Sequence, residues 1–184
     1  DFKKELSKEV VLPKNLINVP KLGTLNIHPS LLPSYRGRYS LVHAIADGKK
    51  FTGFTTHWIG AKIDSGKVIS KKKIKIENDD TGETIYEKFT NGSIIEFKKI
   101  FNKMIKRNTI KTYNLKKNSN RYKKKHFPNN GQINWSWGGK KIFNYIRSMI
   151  HEPFPPPEIK IGSKTYYIVS KKLITKKKLL KSPK

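Results

Sequence analysis

Hydrophobic and polar residues alternate over several short stretches of the chain, and this pattern predicts β-strands. Residues 51–59 (FTGFTTHWI) are rich in aromatic and β-branched side chains, and the alternation resumes over residues 67–76. A shorter strand, residues 24–28, runs into a loop punctuated by prolines. The lysine run 71–73 predicts an exposed edge strand, because lysines at a sheet edge discourage pairing with another sheet.

A second pattern, with apolar residues three and four positions apart, predicts helices. Residues 40–47 form a short helix that stops before a glycine. A longer helix starts with the capping residues near Thr81 and continues to Arg107, and we expect Asn91-Gly92 to interrupt or kink it. Residues 139–150 form a compact amphipathic helix that the following prolines end.

The remaining segments are polar and punctuated by turns. One helical turn is expected near residues 14–17, with its apolar residues packed beneath strand 24–28. Residues 158–161 and 165–169 flank Gly162-Ser163-Lys164, which predicts a β-hairpin. We therefore divide the chain into four parts: a core (1–107), a Lys/Asn-rich linker (108–130), a small helix and β-hairpin appendage (131–170) and a basic tail (171–184).

Composition narrows the class of protein without naming a ligand. The length of 184 residues allows one domain with a small appendage. A formal charge of +27 predicts a polyanionic partner such as tRNA or a nucleotide-linked substrate, although an AT-rich genome would also enrich lysine, asparagine and isoleucine. The absence of cysteine excludes disulfides and thiolate metal sites. No apolar run approaches the roughly 18 residues of a membrane span, and we see no signal peptide, so we expect a cytoplasmic protein.

Three polar residues are candidates for chemistry. Asn26 and His28 are two positions apart on a strand, so both side chains point to one face. If strands 24–28 and 51–59 are neighbours, the turn at Asp64 lies at the same sheet end as His28. A carboxylate beside an imidazole raises its pKa, which favours the protonated form near neutrality. An asparagine amide can donate to an oxygen that gains negative charge, which is worth about 3 kcal/mol.

This trio lacks a serine or cysteine nucleophile, so it predicts direct attack by a substrate on an acyl carbon. Structural interpretations remain open for each residue at this point. Asn26 is compatible with a capping role and Asp64 with an ordinary turn. His57 is compatible with a buried strand histidine whose nitrogens are satisfied by neighbours.

Two motifs make the sequence resemble the folate-dependent formyltransferases. The segment NIHPSLLPSYRG is followed by TGFTTHWIGAKIDSG. Members of that family, which include methionyl-tRNA, glycinamide ribonucleotide and amino-sugar formyltransferases, share Asn-x-His-Pro-Ser-Leu-Leu-Pro, then Thr-Gly-x-Thr-x-His and Asp-x-Gly. Every element occurs here in order, with His28 and Asp64 separated by 36 positions. The resemblance implies an α/β, Rossmann-like fold with a mostly parallel sheet.

The resemblance also implies roles for individual residues. Asn26, His28 and Asp64 match the catalytic triad that transfers a formyl group from 10-formyltetrahydrofolate to a primary amine without a metal. Leu32-Pro33 matches a loop in which the family tends to have a cis peptide. The remaining matches are expected to bind folate (Leu31, Leu32, Ile59, Gly60 and Ile63) or, for His57, the acceptor. We expect Arg36 and Arg38 to bind a phosphate of the acceptor, with solvated loop arginines as the alternative.

The C-terminal part bears on the acceptor. Residues 131–159, GQINWSWGGKKIFNYIRSMIHEPFPPPEI, are similar to the segment that follows the catalytic domain in the tRNA and amino-sugar branches. We expect a nucleotide-linked amino sugar as acceptor, with initiator methionyl-tRNA as the alternative. Only about twenty residues precede the Asn-x-His strand, where relatives have half of the catalytic domain. The chain is therefore expected to be a fragment, a truncated and non-catalytic remnant, or one partner of a two-chain protein, and an oligomer is compatible with this.

Overall fold

A computed structural model of the protein describes residues 13–60, 62–107, 109–115, 121–122, 127–152 and 156–168. The basic tail predicted for residues 171–184 lies outside these ranges. The elements are, in chain order, α1 (Lys14–Ile17), β1 (Leu25–His28), β2 (Arg36–Gly37), α2 (Ser40–Ala46), β3 (Phe51–Trp58), β4 (Val68–Lys75), α3 (Gly82–Ile105), β5 (Arg121–Tyr122), a 3₁₀ helix (Pro128–Gly131), α4 (Gly139–Met149), β6 (Glu158–Ile161) and β7 (Lys164–Tyr167). No helix within these ranges has the length and apolar composition needed to span a bilayer.

The central sheet has three strands in the order β1-β3-β4, and both pairs are antiparallel. The mixed helix and sheet composition agrees with the expected α/β class, whereas the three strands are not the parallel ones expected. Residues 59–67 connect β3 to β4, and so short a connection can return the chain only antiparallel, since a parallel crossover needs about a dozen residues or more. Among the described strands, parallel pairing occurs between β2 and β5.

The lysines of β4 lie where the sequence predicts them, on an exposed edge strand. Two of the charges on β4 have carboxylate partners. Lys72 Nζ lies 3.4 Å from Glu96 Oε2, and Lys75 Nζ lies 2.8 Å from Glu77 Oε1. Because the lysine side chains of both pairs are at least half exposed, we expect each pair to add little to stability.

Helix α3 is continuous, so the predicted interruption at Asn91-Gly92 is wrong. Gly92 faces the ring of Phe54 on β3, and a Cβ atom there would lie 2.9 Å from Phe54 Cε1. The glycine thus lets the helix approach the sheet closely and does not break it. The helix begins after Thr81, as expected, and its capping box joins Thr81 and Thr84: the Thr84 amide donates to Thr81 Oγ1 and the Thr81 amide donates to Thr84 Oγ1.

Helix α2 lies between two hydrophobic clusters and joins them. On one side its Val42 packs against apolar residues of α4 and its surroundings, which include Ile133, Tyr145, Ile146, Met149 and Ile168. On the other side its Leu41, Ala44 and Ile45 pack with Ile76 and Ile85, next to β4 and α3. The helix of the predicted appendage therefore shares a core with the sheet-bearing part of the chain.

A buried arginine strengthens this connection. Arg147 of α4 donates to the backbone carbonyls of Glu77 and Asp80, at 2.8 and 2.7 Å, in the segment between β4 and α3. Its Nε also donates to Asn144 Oδ1 at 3.0 Å. These hydrogen bonds give partners to the guanidinium of a residue that is only 6% exposed, and they fix α4 relative to the start of α3.

The segments outside the core differ in part from the predictions. The turn α1 forms where expected, and Thr24 Oγ1 donates to the Ile17 carbonyl at 2.8 Å. Leu16, however, is 53% exposed, so its predicted packing beneath the strand is wrong. Within the predicted linker, Tyr113 exchanges two backbone hydrogen bonds with Val68, which extends the edge of the sheet. The β-hairpin forms as predicted, with Gly162 at φ 59° in its turn.

The turn after β3 supplies a test of packing. Gly66 lies against the backbone of Trp58, and a Cβ atom there would overlap the Trp58 carbonyl oxygen. We expect Gly66→Ala to lower the free energy of unfolding by about 1–3 kcal/mol, because backbone cannot move aside as a flexible side chain can. Urea denaturation of both proteins measures the difference.

Gly139→Ala is the matched control for this substitution. Gly139 starts α4 and has no atom within 4 Å of its hypothetical Cβ, so we expect a change within about 0.5 kcal/mol. Equal stability of Gly66→Ala and the unchanged chain would contradict the assigned role of Gly66.

Candidate active site

Strand β1 presents two polar side chains to one face of the sheet. The register places Asn26 opposite His57 of β3 and His28 opposite Thr55. Directly opposed residues of antiparallel strands share a face, so all four side chains lie together. His28 is 4% exposed and His57 is 1% exposed, so this side of the sheet is well covered by protein.

Asp64 reaches this face from an unexpected direction. Trp58 pairs with Leu25, so the chain leaves β3 at the Leu25 end of β1, the end farther from His28. The antiparallel pairing of β1 and β3 is the reason. The turn nevertheless folds back, and Asp64 Oδ1 lies 3.5 Å from His28 Nδ1. Its Oδ2 accepts a hydrogen bond from the Gly37 amide at 2.9 Å.

His28 has an acceptor near each ring nitrogen. Its Nε2 lies 3.1 Å from the Tyr35 carbonyl oxygen and 3.3 Å from Ser40 Oγ. A carbonyl can only accept, so Nε2 carries the hydrogen, and the lone pair of the neutral ring is on Nδ1, toward Asp64. Sequence reasoning missed Tyr35 and Ser40, because the Tyr35 contact is through backbone and Ser40 begins a separate helix.

The pKa of His28 lies below its ordinary value of 6.5, and burial is the main cause. The Asp64 carboxylate and the hydrogen bond to the Tyr35 carbonyl raise the pKa but do not compensate for the lost hydration. The prediction of a raised pKa was therefore wrong. With a pKa below 6.5, the imidazole is mainly neutral at pH 7.

Both nitrogens of His57 contact groups of the protein. Nδ1 lies 2.8 Å from the Trp58 carbonyl oxygen, and Nε2 lies 3.2 Å from Asn26 Nδ2. Asp64 Oδ1 is 3.9 Å from the same Nε2. The same-face pairing of Asn26 and His57 could not be derived from spacing within one strand.

The loop after β1 is fixed to the sheet by Thr55. Thr55 Oγ1 donates to the Ser30 carbonyl at 2.7 Å and accepts from the Leu32 amide at 2.9 Å. The peptide between Leu32 and Pro33 is cis. Leu32 is 0% exposed, so its side chain belongs to the protein interior and cannot contact folate as predicted. The other predicted folate residues are partly exposed: Leu31, Ile59, Gly60 and Ile63.

The two predicted phosphate-binding arginines follow this loop. Arg36 Nε is buried and has no hydrogen-bond partner in the described part of the chain. The Arg38 guanidinium carbon lies 5.9 Å from the centre of the Tyr39 ring. Among the described residues, no three His, Cys, Asp or Glu side chains are grouped so that they could hold a metal ion.

Comparison with known proteins identifies relatives of this chain. A family model described as formyl transferase matches residues 9–95. The chain is 34% identical, over 92% of its length, to the bifunctional polymyxin resistance protein ArnA of Wigglesworthia glossinidia brevipalpis, of which it covers 25%. It is 29% identical, over 87% of its length, to the GDP-perosamine N-formyltransferase of Brucella melitensis biotype 1, and covers 61% of that enzyme. It is 36% identical, over 74% of its length, to the methionyl-tRNA formyltransferase of Thermodesulfovibrio yellowstonii, and covers 44% of it. The chain thus spans less than two thirds of each of these relatives.

Solved structures share the fold. A 4-N formyltransferase from Francisella tularensis matches with a TM-score of 0.76 at 20% identity, over 88% of this chain and 66% of that one. An N-formyltransferase from Helicobacter canadensis, solved with folinic acid and dTDP-3-aminofucose, matches with a TM-score of 0.65 at 26% identity, over 70% of this chain and 48% of that one. These neighbours confirm the Rossmann-like α/β fold class. The sequence motifs, the family model that matches residues 9–95 and the shared fold all indicate similarity to the formyl transferases.

Proposed function

We propose that this site transfers a formyl group from 10-formyltetrahydrofolate to a primary amine. The observation that carries the proposal is that Asn26 and His28 share one face of the sheet, where Asp64 Oδ1 lies 3.5 Å from His28 Nδ1 and 3.9 Å from the His57 nitrogen that contacts Asn26. Relatives support the donor, since one solved structure contains folinic acid and another was obtained with 5-N-formyl-THF.

Asn26 is suited to stabilising the oxygen of the formyl group. When the amine attacks the formyl carbon, that oxygen becomes negatively charged. One Asn26 N–H is directed at His57, so the second N–H of the amide remains for the oxyanion. Such a donor is worth roughly 3 kcal/mol of transition-state stabilisation, because it is oriented before the charge develops.

His28 is suited to moving the proton. Burial keeps the ring neutral at rest, so it can accept the proton that the amine loses as the new N–C bond forms. The imidazolium is then stabilised by Asp64 and by the Tyr35 carbonyl, and it lies beside the oxyanion. The proton passes to the folate nitrogen as the bond between that nitrogen and the formyl carbon breaks. Protons and bonds balance without another reactant.

The partly exposed residues beside this site would bind the folate. Leu31 precedes the buried part of the loop, and Ile59, Gly60 and Ile63 flank the turn that carries Asp64. The apolar side chains of Leu31, Ile59 and Ile63 suit the flat ring system of a folate. Leu32 is left out of this set because its side chain is buried.

For the acceptor we propose a nucleotide-linked amino sugar. Relatives named GDP-perosamine N-formyltransferase and a structure containing dTDP-3-aminofucose support this class. Arg36 lies close enough to His28 for its charge to lower that pKa, and a guanidinium beside the site is suited to a phosphate. Methionyl-tRNA is the second candidate, which the charge of +27 and the identity to a methionyl-tRNA formyltransferase favour.

The acceptor can be tested directly. The chain is incubated with 10-formyltetrahydrofolate and either a dTDP-linked amino sugar or methionyl-tRNA, and mass spectrometry follows the formylated product. We expect the amino sugar to gain one formyl group, because its free amine is the nucleophile. The N-acetylated sugar, which lacks that amine, is the matched control. Transfer to methionyl-tRNA alone replaces the first acceptor by the second, and transfer to neither contradicts the proposed function.

Substitution of the three central residues tests the mechanism. We expect Asn26→Ala, His28→Ala and Asp64→Asn each to lower kcat by roughly 10²–10³-fold. The first removes the donor to the oxyanion, the second removes the proton acceptor, and the third removes the negative charge that stabilises the imidazolium. Single-turnover kinetics with the preferred acceptor measure the loss. His151→Asn is the control, since His151 packs against Tyr86, on α3, and takes no part in the site. Near-normal turnover in any of the three variants would refute the assigned role.

The pKa of His28 predicts a pH dependence of stability. The unfolded chain takes up this proton near pH 6.5, the ordinary value, whereas the folded chain does so at lower pH. Between the two pKa values the unfolded state binds more protons, so the free energy of unfolding falls as the pH drops, by at most about 1.4 kcal/mol per pH unit. Well above pH 6.5, His28 is neutral in both the folded and the unfolded state, and it no longer makes the free energy of unfolding depend on pH. Urea denaturation from pH 7.5 to 5, with NMR titration of the ring, measures it.

Asp64→Asn tests the causes that we assign to the lowered pKa of His28. It removes the carboxylate that raises the pKa, so the NMR titration of His28 should move to still lower pH. His151 is the internal control, because burial also lowers its pKa but its carboxylate neighbour is Glu83. A His28 pKa at or above 6.5, or one that rises in Asp64→Asn, would show that burial does not dominate.

A further inference from the structure

An asparagine amide is effective as a donor only if its N–H groups face the reacting oxygen. Asn26 lies on a partly exposed strand position, where the side chain could rotate or exchange its oxygen and nitrogen. Its hydrogen-bond partner in the described part of the chain is His57 Nε2, at 3.2 Å. What fixes the orientation of the amide is therefore the hydrogen-bonding state of His57.

That state is set by the backbone. His57 Nδ1 is 2.8 Å from the Trp58 carbonyl oxygen, which can only accept, so Nδ1 carries the hydrogen. In the neutral ring, Nε2 then has a free lone pair and accepts from the Asn26 NH₂ group. The reverse amide orientation would direct the Asn26 oxygen at that lone pair, and the two would repel.

We propose that His57 is a positioning residue for formyl transfer. Held in its Nδ1–H tautomer by the Trp58 carbonyl, it accepts one hydrogen of the Asn26 amide and turns the other toward the developing oxyanion. With a side chain that is 2% exposed, it acts through Asn26 and does not contact the substrate. This inference rests on the proposed function, because Asn26 needs an orientation only if it serves as a donor.

The same tautomer has a consequence for Asp64. Asp64 Oδ1 lies 3.9 Å from His57 Nε2, but an Nε2 without hydrogen cannot form an ion pair with it. The carboxylate is thus left to interact with His28 Nδ1 and with the Gly37 amide. His57 orients Asn26 without competing for the charge that supports His28.

Two substitutions of similar volume separate positioning from packing. His57→Gln places a side-chain oxygen near the position of Nε2 and keeps an acceptor for Asn26. His57→Asn reaches only to the position of Nδ1, so it can donate to the Trp58 carbonyl but offers Asn26 no acceptor. We expect His57→Asn to lower kcat by about 10- to 100-fold with KM unchanged, and His57→Gln to stay within about 5-fold. Equal losses in the two variants would overturn the proposal.

A double-substitution cycle shows whether His57 acts through Asn26. Once Asn26→Ala is present, adding His57→Asn should cause no further loss of kcat. A full additional loss would overturn the proposal, since His57 would then act independently. Failure of the proposed function is distinct, because it appears as unchanged turnover in Asn26→Ala alone.

Nitrogen NMR of the ¹⁵N-histidine-labelled chain tests the geometry without any turnover. We expect the neutral ring of His57 to show a protonated Nδ1 and an unprotonated Nε2, and the Nε2 signal to shift in Asn26→Ala. His43 serves as reference, because it lies on α2 and its signals should not respond to Asn26→Ala. An Nε2–H tautomer, or an Nε2 signal that ignores the loss of Asn26, would overturn the proposal.

Discussion

The antiparallel register of β1 against β3 is the constraint on which the site depends. It places Asn26 opposite His57 and His28 opposite Thr55, so the residues that we assign to chemistry and those that hold them share one face. A slip of one residue would move Asn26 and His28 to the other face of the sheet. Thr55 secures this register in a second way, because its hydroxyl bonds the Ser30 carbonyl and the Leu32 amide of the loop that follows β1.

Asp64 joins parts of the chain that the sheet alone would leave apart. Its turn starts at the far end of β1, yet its carboxylate reaches His28 and the Gly37 amide. Gly66 permits the fold-back, because only a residue without Cβ fits against the Trp58 carbonyl. The Asp-Ser-Gly motif is therefore a packing requirement as much as a chemical one.

Local patterns in the sequence were sufficient to predict most elements and to place Asn26 and His28 on one face of their strand. Alternation identified β3 and β4, and two-residue spacing put both polar side chains on one face. Features that depend on distant contacts were not accessible in this way. A glycine within a helix predicts a break when only the local sequence is considered. The contact of Gly92 with Phe54, which explains the glycine, joins residues far apart in the chain.

The site shows the same division between local and distant information. The direction of β3 relative to β1 decides at which end of β1 the turn with Asp64 starts. Strand alternation carries no information on that direction. The pKa of His28 depends on how much protein covers it, whereas the sequence showed only the nearby carboxylate. Leu32 was expected to bind folate because of its motif. Its amide donates to Thr55 on β3, and its side chain is fully buried, which the motif does not reveal.

The opposing influences on His28 fit the chemistry that we propose. Burial disfavours the imidazolium, which makes the resting ring a proton acceptor, while Asp64 and the Tyr35 carbonyl favour it once a proton arrives. An exposed histidine would lack the first influence, and a buried one without Asp64 would lack the second. Because the negative charge of Asp64 is already directed at Nδ1, little rearrangement is needed when the ring becomes charged. The site therefore combines a neutral resting ring with a stabilised charged one, which is what proton transfer from an attacking amine to a departing nitrogen requires.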